Sequence, residues 1–209
     1  MRTIRKSGEP ASLTQHRLVR HASYDNYPDK SVLRQHLCVE QRGLCCYCLA
    51  RIRPERMKIE HWQSQRTFPD EQLNYRNLLG ACLGGEGQPA NLQHCDTKKK
   101  AGPLARNPAD PAHHVETLVR YYADGRIASD NVAWNAELEE ILNLNTPFLR
   151  NNRKAVLDAF QRTLSRRGEL QRPTLETWIE DWNGDSSQED LRPYCQVVVY
   201  WLRKRLARG

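Results

Sequence analysis

Several signatures are missing from this 209-residue chain, and each absence narrows its function. There is no Gly-x-x-x-x-Gly-Lys-Ser/Thr loop and no Gly-x-Gly-x-x-Gly turn, so nucleotide binding by those routes is excluded. No His-x-Glu is followed by Pro-Cys-x-x-Cys, which sets aside the zinc deaminases. The apolar run from Val197 to Leu202 is far short of the roughly 20 residues that cross a bilayer. Arg2, Arg5, Lys6 and Glu9 have no apolar stretch of a secretion signal behind them. We expect a soluble cytoplasmic protein with no membrane partner. Internal repeats and low-complexity tracts are also lacking.

Cysteine, by contrast, is present seven times, an odd number concentrated in one short region. A chain of this length can bury a core without disulfide staples, so metal ligation in a reducing compartment is the better explanation. Charge is unevenly placed as well. The formal excess is +7, and residues 1–60 carry 12 basic against 6 acidic side chains, whereas residues 111–209 carry 14 of each. Most of the early bases are arginines, whose planar fork suits phosphate. A polyanionic partner is favoured over a merely solvated basic face.

The pattern along the chain is α+β and mostly helical. A helix is expected over Lys30 to Arg42, with Asp29 as N-cap, Leu33 and Leu37 on one face and Gly43 as the stop. Arg56 to Trp62 alternates apolar and charged residues, the period of a strand, and a second short strand around Asn77 to Leu79 can pair with it. Strict alternation would send Glu60 and His61 to opposite faces, so a bend is predicted at His61. The glycine-rich Gly84 to Gly87 excursion and a short helix starting near Asp96 follow. Prolines 103, 108 and 111 mark a boundary. Beyond it we expect a hairpin over Val115 to Ile127, turning at Asp124-Gly125. Helices are expected over Ala136 to Leu170, broken near Thr146-Pro147, over Leu175 to Trp182, and at the end, with Tyr194, Val197, Val198 and Trp201 on one side. Three regions result: a helical 1–44, a cysteine-stapled core 45–110, and a helical 111–209 that is a candidate docking surface.

The chemistry concentrates in the middle region. Cys45-x-x-Cys48 is a standard knuckle, and Cys82 with Cys95 supplies a second pair around the glycine-rich excursion, giving four soft ligands for a structural zinc. Cys46 or His94 could replace a neighbour. Cys38 and Cys195 are expected to be core thiols. A closed zinc site leaves no position for substrate, so catalysis needs another centre, for which Glu60, His61, Asn77 and Asp96 are the candidates. Glu60 and Asp96 are hard oxygen donors for Mg2+ or Mn2+, and His61 has the ordinary pKa of a general base. Lys98, Lys99, Lys100 and Arg106 lie just beyond and are candidate contacts to a nucleic-acid strand.

The ordered set Cys45-x-x-Cys48, Glu60-His61, Asn77-Leu78-Leu79, Cys82 and Cys95-Asp96-x-x-Lys99 resembles the zinc-containing subgroup of the HNH endonucleases, which have a ββα-metal fold. Asn77 to Cys82 and His94 to Lys99, with Leu142-Asn143-Leu144-Asn145 and Leu149-Arg150-Asn151-Asn152-Arg153, are similar to the PtuB nucleases of Septu and retron-associated anti-phage systems. The resemblance implies that His61 is the general base, that Asn77 steadies the hairpin and the orientation of His61, and that Glu60 and Asp96 hold the catalytic cation. It also implies a PtuA-like ATPase related to ABC and SMC proteins as partner, with a retron reverse transcriptase and its RNA-DNA hybrid able to join. Glu60 stands where aspartate is frequent, and Asp96 where histidine or asparagine is frequent. Nothing in the chain decides DNA against RNA as substrate, although DNA is favoured. The alternative from another class is a non-catalytic zinc module that binds nucleic acid or protein.

Overall fold

The computed structural model describes residues 1–168, 170–184 and 190–208. Its elements in chain order are α1 (Ala11–His16), α2 (Lys30–Glu40), β1 (Lys58–His61), β2 (Leu78–Ala81), α3 (Cys95–Lys99), α4 (Val115–Leu118), β3 (Arg120–Tyr121), β4 (Ile127–Ala128), α5 (Val132–Ala136), α6 (Pro147–Arg167), α7 (Arg172–Asn183) and α8 (Cys195–Leu206). A π-helical turn, Glu137–Ile141, extends α5. Among the described residues no helix is long and apolar enough to cross a membrane.

β1 and β2 pair antiparallel, with Lys58 opposite Ala81 and His61 opposite Leu78, and α3 follows them in the chain. The ladder runs through His61 and continues as Trp62 N–H to the Asn77 carbonyl, so the bend falls at Trp62 and Gln63, one residue later than the sequence suggests. β2 has an open edge, which Gln41 closes. Its amide donates to the Gly80 carbonyl at 2.7 Å and accepts from the Gly80 N–H at 2.5 Å, imitating a third strand. Cys46 N–H adds a bond to the Gly80 carbonyl, which ties the first cysteine knuckle to the hairpin.

α2 buries Leu33, Leu37 and Cys38, and Asp29 stands at the expected N-cap position, although its side chain makes no capping bond. The expected hairpin over 115–127 is shorter than predicted: Val115–Leu118 is a helical turn, and only Arg120–Tyr121 and Ile127–Ala128 pair. Its tip needs glycine, because a Cβ on Gly125, at φ +82°, would lie 2.0 Å from the Arg150 carbonyl oxygen. α6 begins at Pro147, capped by Thr146, where a helix break is expected. α7 and α8 pack together, with Phe160, Leu175, Val198 and Leu202 as a small second core beside the main one.

The main core is one continuous apolar cluster. It includes Ile4, Leu13, Leu33 and Leu37 from the first region, Tyr47, Leu78 and Leu79 from the middle, and Trp134, Leu142, Leu144, Leu157 and Val197 from the last. Packing therefore crosses both the 44/45 and the 110/111 boundaries.

Candidate metal centre and active site

Two backbone turns bring the four cysteines together. In the first, Leu49 takes a left-handed conformation, its N–H returns to the Cys45 carbonyl, and the Ala50 N–H points at Cys48 Sγ from 3.4 Å. In the second, Gly84 accepts from the His94 N–H and closes the excursion at its neck. A Cβ at Gly84 would meet the His94 carbonyl oxygen at 2.2 Å, so only glycine fits that closure. Cys95 is fixed in turn by its N–H to the Leu142 carbonyl at 2.9 Å.

The ligand atoms of Cys45, Cys48, Cys82 and Cys95 all lie within 4.8 Å of one another, with Cys45 to Cys95 at 3.9 Å and Cys48 to Cys82 at 3.7 Å. Sulfurs held tetrahedrally about 2.3 Å from a zinc ion are separated by about 3.8 Å. The group thus has the dimensions and the donor atoms for a metal such as zinc, and no disulfide joins these thiols. Cys45, against its burial, is drawn well below the ordinary thiol range by hydrogen bonds from Cys46, Cys48, Cys82 and Cys95. Burial pushes Cys95 well up, so a full set of thiolates calls for a cation to offset it. Cys46 stands outside this four-cysteine group. His94 Nδ1 lies beside it, 3.2 Å from Cys95 Sγ and 4.0 Å from Cys82 Sγ, and the imidazole stacks on Phe148.

The Leu142 to Asn145 motif is what fastens this knuckle to the rest of the molecule. Leu142 and Leu144 are fully buried, Asn143 donates to the carbonyls of Asn91 and Gln93, and Asn145 pairs with both backbone groups of Ile127. From the following motif, buried Arg153 donates to the carbonyls of Gly125 and Leu144, and Arg150 pairs with Asp124. Both motifs are internal cross-links.

On the hairpin beside the cysteines, Glu60 and His61 are both buried, at 2% and 6% exposure. His61 Nε2 lies 3.0 Å from the Gln72 carbonyl oxygen, which can only accept, so Nε2 carries the proton and Nδ1 is left with its lone pair. Gln65 Nε2 lies 3.3 Å from that Nδ1, and the Tyr24 ring meets the imidazole edge-on at 4.5 Å. Burial lowers the His61 pKa from its ordinary value, opposed by the Gln72 bond and reinforced by Lys99. The ring is neutral at physiological pH.

Asn77 sits where the second strand begins and clamps the intervening loop at both ends. Its Oδ1 accepts from the Gln63 N–H at 2.7 Å, and its Nδ2 donates to the carbonyls of Gln63 and Glu71. Glu71 precedes the very residue whose carbonyl fixes His61. Loop geometry and the orientation of the His61 ring are thereby coupled through one amide.

Glu60 Oε1 accepts from Tyr47 Oη at 2.7 Å and pairs with Lys99 Nζ at 2.8 Å. Asp96, from the first turn of α3, is its carboxylate neighbour. Burial raises the Glu60 pKa well above the usual carboxylate range, the hydrogen bond and charge of Asp96 raise it further, and Lys99 opposes them. Asp96 is the more open carboxylate, at 21% side-chain exposure, with Lys58 Nζ 4.0 Å away. Among the described residues only the four cysteines gather three or more metal-ligating groups; Glu60, His61 and Asp96 do not close into a second such cluster.

The structure corrects one expectation outright. The Lys99 side chain is wholly enclosed, held by Glu60 and by the His61 carbonyl at 3.0 Å, so it is an internal cation and not a surface contact for nucleic acid. Arg106 is half-buried and donates to the His113 carbonyl, whereas Lys98 is half-buried and Lys100 is exposed past the end of α3. Sequence reasoning missed Tyr24, Tyr47, Gln65 and Gln72, none of which carries a spacing signal. Only Tyr47, between two ligand cysteines, had a position that invited attention.

No family model matches the chain. It is similar to an Escherichia coli protein described as "Retron Ec83 putative HNH endonuclease", with 28% identity over 191 aligned positions that cover 72% of this chain and 73% of the relative. That distant likeness supports a relationship to the HNH endonucleases. The particular relative is one named for a retron.

Proposed function

We propose that the chain is a metal-dependent HNH endonuclease that hydrolyses nucleic-acid phosphodiester bonds, with β1, β2 and α3 as its ββα-metal core. The observation that carries this reading is His61 itself: a neutral, carbonyl-oriented imidazole whose Nδ1 lone pair meets only the Gln65 side-chain amide, next to Glu60 on β1 and within the field of the Asp96 carboxylate. Water attacks phosphorus as His61 Nδ1 takes its proton, the P–O3′ bond breaks, and the leaving oxygen is protonated from solvent. The products are 5′-phosphate and 3′-hydroxyl ends. Two adjacent carboxylates are a donor set for an oxygen-seeking dication such as Mg2+ or Mn2+, with Asp96 the open ligand and Glu60 beside it. Such an ion, when bound, supplies neutralisation of the charge that develops on the phosphate oxygens. The four cysteines hold a structural Zn2+.

The retron in the relative's name supports a retron association; the resemblance of the sequence motifs to the PtuB nucleases extends the proposal to an anti-phage effector in a complex with a PtuA-like ATPase and a retron reverse transcriptase carrying its RNA-DNA hybrid. The charge-balanced 111–209 region would supply the docking surface. A second reading draws on the closed Glu60–Lys99 pair, which is also what a purely structural contact looks like, and makes the chain a non-catalytic zinc module. One residue separates them. Labelled duplex DNA, single-stranded DNA and transfer RNA are incubated with Mg2+ and the wild-type or His61→Ala protein, alone and with the ATPase. Cleavage should fall by at least 100-fold in the variant, the usual scale of a lost general base, with zinc content and fold intact. Equal cleavage by both would sink the enzyme reading. Because the folded state disfavours protonated His61, activity should stay on its plateau below the ordinary imidazole pKa and fall only at lower pH.

A further inference from the structure

Arg34 stands apart among the basic side chains around this site. It lies on α2, one turn beyond Lys30, so the two share a face of that helix. Lys30 Nζ sits over the Tyr24 ring, 5.1 Å from its centre, and Tyr24 is the ring that meets His61 edge-on at 4.5 Å. The backbone of Tyr24 is itself tied to the loop that orients His61, through its N–H to Gln72 Oε1 at 2.9 Å. The phenol is pushed up to about 12 chiefly by burial; Arg34 pulls it down, while Asp25 and Asp96 push it up. One hydroxyl therefore feels both the Arg34 guanidinium and the Asp96 carboxylate.

Other enclosed arginines find an acceptor: Arg153 has the carbonyls of Gly125 and Leu144, Arg51 has Asp190, and Arg106, whose Nε is likewise shut off, donates through a terminal nitrogen to the His113 carbonyl. Arg34 is only partly exposed, its Nε is shut off from solvent, and it makes no hydrogen bond or ion pair among the described residues. The two terminal nitrogens are not enclosed in the same way. A half-buried guanidinium with its Nε enclosed, its terminal nitrogens not fully enclosed and no acidic partner among the described residues is suited to an anion from outside the chain.

We propose that Arg34 is a phosphate-binding side chain of this site, contacting the nucleic-acid backbone from the α2 side while α3 and its carboxylate lie on the other. The assignment rests on the nuclease reading for its catalytic consequence, but not for the anion contact. Nucleic acid would then pass between α2 and the end of α3, across the His61 ring.

The test uses the full chain with Arg34→Ala and Arg34→Lys, the same labelled duplex and single-stranded DNA, and two readouts. Cleavage with Mg2+ should lose about 100-fold in kcat/KM for Arg34→Ala, and Arg34→Lys should recover part of it, as for other electrostatic contacts to a reacting group. Binding, followed by fluorescence anisotropy in the His61→Ala background, should weaken for both DNA forms, and the slope of log K against log salt should shrink by about 1 when one phosphate contact is lost. The apparent pKa of the rate profile should not move, since Arg34 does not hold the imidazole. Unchanged cleavage with an unchanged salt slope overturns the proposal, as does a loss that lysine does not relieve and that comes with a shifted pH profile. If the wild-type protein cuts nothing, the nuclease reading fails separately, and the salt slope alone decides whether Arg34 meets phosphate.

Discussion

The Lys99 ammonium is fully enclosed and serves two acceptors, Glu60 Oε1 and the His61 carbonyl, so it fixes the peptide that joins the two site residues. Taking it away would strand a buried carboxylate next to Asp96. Lys99→Met should therefore destabilise the fold by about 3–5 kcal/mol, the cost of breaking a buried pair from one side. Adding Glu60→Gln should return much of that stability, and denaturant midpoints of the single and double variants measure both effects. A mild single variant would mean that the pair is not closed in solution. At this scale the sequence was informative about chemistry and poor about placement. Glu60, His61, Asn77 and Asp96 stood out because polar and ionisable types fall at motif spacing, and the structure gathers Glu60, His61 and Asp96 while Asn77 clamps the loop beside them. Lys99 was not, since a lysine in a run of three gives no sign of which one turns inward. Tyr24 and Gln72 reach His61 only through tertiary contact, across 37 and 11 residues of sequence.

At the level of elements, two short strands and a five-residue helix have little stability of their own, and their geometry depends on what holds their ends. The Cys45 knuckle is bonded to β2 through Cys46, and Cys95 opens α3 while its N–H is held by Leu142. The four-cysteine group and the Leu142 to Asn145 motif together place the start of α3, and with it Asp96. Cys95→Ser should release zinc and loosen α3, so that metal content falls, amide exchange rises over 93–100, and the melting point drops; a variant with one zinc per chain and normal melting contradicts the ligand set. The strand pair and the short helix were legible from alternation and from the residue types at the helix start. The two-residue β3–β4 hairpin was mis-sized, because the apolar pattern of Val115 to Ile127 is shared by a helical turn and a strand. Asp29 holds the expected N-cap position yet makes no side-chain capping bond, which shows that the bond depends on backbone direction as well as residue type.

For the whole molecule, the notable feature is that one apolar core joins segments from all three regions of the sequence. Proline content correctly marked an irregular stretch after Pro103, yet Leu142 and Leu144 cross it to pack beneath the cysteine knuckle. Linker composition reports local backbone preference and says nothing of what packs over it. The proposed function gives two ions different duties. One would be enclosed by Cys45, Cys48, Cys82 and Cys95, which lie close enough to hold a metal, and would belong to the fold; the other would be held at the Asp96 edge and would belong to the reaction. Dialysis against a chelator, followed by elemental analysis and a cleavage assay on the same sample, tests that division directly. The prediction is about one zinc per chain retained, cleavage abolished, and activity restored by Mg2+ alone. Cleavage that survives the loss of exchangeable cation, or that disappears only in step with zinc, would contradict it.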